Sequence, residues 1–111
     1  MSRGELEKAF SGNSGERIRD ALISASYSED ASWVLDWCVK LAGDERSIAR
    51  YGVAVVLGHI AIDGRREVDL MRCLEAAERL ISDADEATRL AARDSLDDVL
   101  HAIRLQGTSQ S

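Results

Sequence analysis

The side chains with the most chemical potential are His59, His101, Cys38 and Cys73, followed by the carboxylates Asp94, Asp97 and Asp98. A zinc site needs several of the first group at ligand spacing on a helix or loop, and no two of the four have it. Nucleophilic catalysis needs a Ser or Cys placed beside a base, and no such arrangement can be read here. The Gly12 to Gly15 loop lacks both the Gly-Lys-Ser/Thr ending and the preceding strand of a phosphate-binding loop. The sequence therefore predicts no catalytic residue, no metal and no cofactor, and points to action by binding. Asp94, Asp97 and Asp98 fall within one and a half turns of a helix, with Asp97 and His101 at i, i+4. Such a cluster can imitate nucleic-acid phosphates before a basic protein and speed its capture by electrostatic steering. The plain alternative is a solvated helix face.

Composition limits the scaffold that must carry these residues. The chain has 111 residues, 45% apolar and only 5% aromatic, with no proline, which suits an aliphatic core of packed helices in a single domain. The net charge of -6 disfavours direct binding to nucleic acid and favours a basic protein partner. Residues 56–111 carry 11 acidic and 7 basic side chains against 9 and 7 in residues 1–55, so an acidic face is expected toward the C-terminus. The longest apolar run, Tyr51 to Ile62, is too short to span a bilayer. Two cysteines without CxxC spacing, and no visible signal peptide, imply reduced thiols in a cytoplasmic protein.

Apolar periodicity predicts five longer helices preceded by a short one. Ser2 and Glu5 form a capping box for a helix containing Leu6 and Phe10, and Asn13 with Glu16 is the expected cap of the next. Ser26 to Ser28 read as a turn. A third helix starts near Glu29 and carries Trp33, Trp37, Cys38 and Leu41 to a stop at Gly43. Trp33 and Trp37 share a face and serve either as core or as an interface anchor. Asp44 is expected to cap a fourth helix, apolar round much of its circumference and hence the most buried. A fifth helix carries Leu70 to Ile81, Asp83 begins the sixth, and residues 106–111 form a polar, flexible tail.

Shifting the chain by 39 residues aligns Leu35 with Leu74, Leu41 with Leu80, Asp44 with Asp83, Arg50 with Arg89, Leu57 with Leu96 and Ile60 with Val99. One helical hairpin is thus used twice, at residues 29–61 and 67–105, each with a turn Asp and an Arg six residues later. That Arg can reach carboxylates of its own and the adjacent unit. These hairpins resemble HEAT repeats, although neither turn has the proline that many HEAT units carry. The resemblance implies a short α-solenoid of antiparallel hairpins, with residues 1–28 as degenerate N-terminal helices.

The blocks Leu57-Gly58-His59-Ile60-Ala61 and Asp94-Ser95-Leu96-Asp97-Asp98-Val99 resemble small HEAT-like immunity proteins of bacterial contact-dependent inhibition and related polymorphic toxin systems. The resemblance implies an immunity protein that neutralises a cognate toxin domain, a basic nuclease, by blocking its active site. The expected contacts are Asp94, Asp97, Asp98 and Glu86 for charge, with Tyr51 and His59 as anchors. The competing reading is a HEAT-like adaptor for a non-toxin partner, and the third is a small-molecule hydrolase or lyase, which would need a deep pocket with a perturbed carboxylate.

Overall fold

A computed structural model describes residues 1–109 as six helices: α1 (Arg3–Phe10), α2 (Gly15–Ser28), α3 (Ala31–Leu41), α4 (Ser47–Asp63), α5 (Leu70–Leu80) and α6 (Glu86–Ser109). No strand occurs among the described residues. The short first helix begins with the expected capping box, in which the Ser2 hydroxyl accepts from the Glu5 amide at 3.2 Å.

Several boundaries differ from the sequence expectation. Ser14, not Asn13, caps α2 by accepting from the Arg17 amide at 3.2 Å. The expected turn at Ser26 to Ser28 is instead the last turn of α2, where the Ser26 and Ser28 hydroxyls donate back to carbonyls of Ile23 and Ser24. The N-cap position of α4 is Arg46, and Asp85 caps α6 through the Thr88 amide at 3.0 Å. Asp44 and Asp83 therefore do not cap their helices; arginines and the amides two residues on claim their carboxylates. At the other end, α6 continues through Ser109, well into the segment read as a tail, while Gln110 and Ser111 lie outside the described residues.

Helix α4 lies between α2 and α6 and makes its largest contacts with those two. Helices α1, α3 and α5 cover the other side, giving a slab of 46 × 32 × 16 Å. As expected, α4 is the central helix: Ala49, Val53, Ala54, Val56, Leu57, Ile60 and Ala61 are all buried. Its small residues allow close approach on both flanks. A Cβ at Gly52 would stand 2.9 Å from the Arg19 Cα of α2, and one at Gly58 would stand 2.6 Å from the Asp98 carboxylate of α6. The Ser95 hydroxyl uses the space above Gly58, accepting from the Gly58 amide at 3.0 Å and donating to the Ala54 carbonyl. Ser95 is thereby satisfied although buried.

The two repeated arginines make equivalent bonds to the carbonyls of their own turns. Arg50 donates from Nη1 to the carbonyls of Asp44 and Glu45, and Arg89 donates from Nη1 to those of Asp83 and Ala84. Arg50 also grips both carboxylate oxygens of Asp83 at 2.7 and 3.1 Å, which joins the turn before α4 to the turn before α6. Asp44 is held instead by Arg46, whose Nη1 reaches the Gly12 carbonyl at 3.0 Å.

The Trp pair serves to hold α1. Phe10 packs on Trp37 at 4.9 Å and Trp33 at 6.1 Å between ring centroids, while Arg3 and Lys40 cover the outer ring faces. Both tryptophans are half-buried.

The Arg50 guanidinium beside Asp83 holds that carboxyl below its ordinary value of 3.8, and Arg46 does the same for Asp44. Because the folded values are depressed, this stabilisation is complete above the unfolded value and is lost as pH falls through the lower folded one. Asp83→Asn is expected to cost about 2 kcal/mol in urea unfolding near neutral pH. The same variant should lose less stability than the parent chain on acidification below the ordinary carboxylate value, as measured by parallel urea titrations across that range.

Candidate functional site

The exposed surface of α4 is narrow and regular. Tyr51, Val55, His59 and Ile62 recur at spacings of three and four and emerge along one ridge, since α2, α6 and the α3 side cover the remaining circumference. Val55 is 37% exposed, and Tyr51, His59 and Ile62 are half-buried.

From the α2 side, Tyr27 leans over this ridge, its ring centroid 4.5 Å from that of His59. Tyr27 is 76% exposed, the largest value among the exposed apolar and aromatic side chains. His59 Nε2 stands 3.3 Å from the Asp63 carboxylate one turn on, which fixes the imidazole against the tyrosine. The sequence reading missed Tyr27 because it placed Ser26 to Ser28 in a turn. A helical continuation of the Ile18, Leu22 and Ala25 pattern would have carried Tyr27 to the exposed side.

From the α6 side, Asp98 lies against Gly58, and Asp94 is its i, i+4 neighbour on the same flank. Both are exposed. The four expected acidic contacts are therefore not one cluster. Asp97 points round α6 away from α4, and Glu86 stands in the first turn of α6, roughly 12 Å along the axis from Asp94 at 1.5 Å per residue. A glutamate there is favoured by the helix dipole regardless of any partner. Of the six expected contact residues, the structure thus gathers Tyr51, His59, Asp94 and Asp98, and leaves Asp97 and Glu86 outside.

The resulting face has an aromatic and aliphatic strip along α4 and α2, bordered by carboxylates on α6. A surface of this kind offers apolar area for burial, and an acidic border attracts basic groups. The remaining chemistry-bearing groups are placed differently. Cys38 and Cys73 are buried, and burial pushes Cys73 up to about 12 and Cys38 higher still, so neither is a thiolate near neutral pH. Among the described residues, no group of three or more His, Cys, Asp or Glu is placed to hold a metal ion. Among the described residues, no helix is long and apolar enough to cross a membrane. An open groove of about 640 Å³ between α1 and α2, lined by Met1, Glu5, Lys8, Arg17 and Asp20, contains no His or Cys.

No protein-family profile matches the chain, and neither does any curated protein or solved structure.

Gly58 positions the acidic border, because any larger side chain there meets the Asp98 Cβ and the Ser95 backbone. Gly58→Val is expected to destabilise by about 2–3 kcal/mol through overpacking, measured by urea unfolding. Tyr27→Ala, at an exposed position, should change stability by less than about 0.5 kcal/mol in the same assay.

Proposed function

We propose that the six helices form a short HEAT-like stack of three hairpins and that the chain is a protein-binding module, acting as an immunity protein. It binds a cognate bacterial toxin domain, a basic nuclease, and blocks the active site. Contact runs through the face formed by α2, α4 and α6. The observation that carries this reading is the ridge of Tyr51, Val55 and His59, joined by Tyr27 and bordered by Asp94 and Asp98. The aromatic side chains supply anchor area at low conformational cost, and the two carboxylates meet basic groups that the toxin uses on phosphates. The hairpin reading draws support from the paired bonding of Arg50 and Arg89 to their own turns. The short blocks that resemble immunity proteins supply the choice of toxin over other partners. The site of action in this reading is the cytoplasm, where the reduced thiols are stable.

The test is to look for a toxin domain encoded next to this chain and co-express the two, followed by binding kinetics on an inactivated form of that domain. Protection and a one-to-one complex are expected. Asp94→Lys with Asp98→Lys should slow association by about tenfold or more at low salt, and Tyr51→Ala should mainly speed dissociation. Absence of both protection and complex would overturn the immunity reading. Capture of a non-toxic partner through the same face would establish the adaptor instead.

A further inference from the structure

Arg50 and Arg89 each fold back on their own turn and spend one nitrogen there. Nη1 of Arg50 donates to the Asp44 and Glu45 carbonyls at 2.9 and 3.1 Å, and Nη1 of Arg89 to the Asp83 and Ala84 carbonyls at 2.8 and 3.0 Å. Because a guanidinium is planar, these bonds fix the direction of its other edge, formed by Nε and Nη2. On Arg50 that edge holds both oxygens of Asp83, at 2.7 and 3.1 Å. On Arg89 the same edge carries no carboxylate among the described residues.

The occupied site shows how its ligand is presented. Asp83 Oδ1 also accepts from the Asp85 amide at 2.9 Å, so the carboxylate is held out by a turn of its own backbone. Apolar cover differs between the two sites in the same sense. Ala42, the C-cap residue of α3, is 3% exposed, whereas Ile81, in the equivalent position on α5, is only partly covered. Arg72 of α5 pairs with Asp36 of α3, which puts Ile81 on the opposite flank of α5, toward the open end of the array. A further helix cannot close on α6 as α6 closes on α4, because the small Ala54 and Gly58 of α4 are replaced at the equivalent positions of α6 by Arg93 and Asp97. A ligand for Arg89 therefore arrives on a turn, not as another packed helix.

We propose that Arg89 is a binding site for an aspartate carried on a turn of a partner protein, gripped through both carboxylate oxygens as Asp83 is gripped by Arg50. The free edge of Arg89 supplies two parallel donors, the geometry that a carboxylate accepts best. Ile81 adds apolar area for the flanking residues of the bound turn. This site is separate from the ridge on α4, and it stands or falls apart from the toxin reading.

Titration of the full chain with synthetic peptides, followed by nuclear magnetic resonance at the arginine Nε–H groups, tests the proposal. The probe is a capped peptide of residues 80–87, the turn that Arg50 holds in the folded chain. The Arg89 signal is expected to shift and to saturate in the millimolar range, while that of Arg50, already occupied, stays in place. A peptide with Asp83→Asn should bind about tenfold more weakly, since a charge-assisted pair becomes a neutral one. Sodium acetate, a carboxylate without the turn, should likewise require about a tenfold higher concentration. In the full chain Arg89→Lys should weaken peptide binding, because an ammonium does not match both oxygens. Circular dichroism checks that this variant remains helical, and the comparison of peptides on the parent chain serves if it does not. An Arg89 signal that stays in place overturns the proposal, as does an equal response at Arg50 or to the Asp83→Asn peptide. Equal binding of acetate also overturns it, leaving a general anion site only.

Discussion

The fork between Arg50 and Asp83 is the constraint on which the arrangement of the later helices rests. It is the most enclosed ion pair described, with the two side chains 17% and 8% exposed, and it spans 33 residues of sequence. Five bonds converge there: two to the carboxylate, two to carbonyls of the turn before α4, and one from the Asp85 amide. A bidentate pair fixes relative orientation as well as distance. The turn before α6 is consequently set against the turn before α4, and the long apolar contact between those helices follows in register. Burial of such a pair adds little net stability against an apolar replacement, yet loss of either partner would strand the other. Its main effect is to specify one alignment.

With that register set, α4 and α6 can approach closely enough for a hydroxyl of one to enter the backbone ladder of the other. Ser95 reaches the Ala54 carbonyl and the Gly58 amide only because residue 58 lacks a side chain. The same approach carries Asp98 to the border of the α4 ridge. A packing requirement in the core thus determines where a surface charge stands, and the proposed binding face inherits its geometry from the contact beneath it.

Much of this scaffold was legible in the sequence. Helix number, the central burial of α4 and the paired Asp and Arg all follow from periodicity, and the capping box at Ser2 was readable from two residues. The helix starts at Asp44 and Asp83 were misread because an aspartate before an apolar helix has the same local signature whether it serves amides or an arginine distant in sequence. The sequence did allow each repeat Arg to reach a carboxylate of the adjacent unit, as Arg50 does with Asp83, but that this pairing takes the place of a helix cap emerges only in three dimensions. The site divided along similar lines. Tyr51 and His59 belong to one helix and their common face was readable, whereas joining Asp98 to them required knowing which flank of α6 meets α4. Counting acidic residues along α6 could not separate Asp94 and Asp98 from Asp97 and Glu86, since that distinction depends on a neighbouring helix. The clustered serines hid Tyr27, because their back-bonding to carbonyls extends the helix where composition suggested a turn.

The glycines at 52 and 58 leave α4 with neighbours pressed against both flanks. Nearly every substitution on that helix must then be absorbed by α2, α6 or the layer behind, except along the strip of Tyr51, Val55, His59 and Ile62. Variation that preserves the fold is channelled into those few positions. A lineage built on this scaffold could change the shape it presents there in single steps, each cheap in stability, and so follow a changing partner without rebuilding its core.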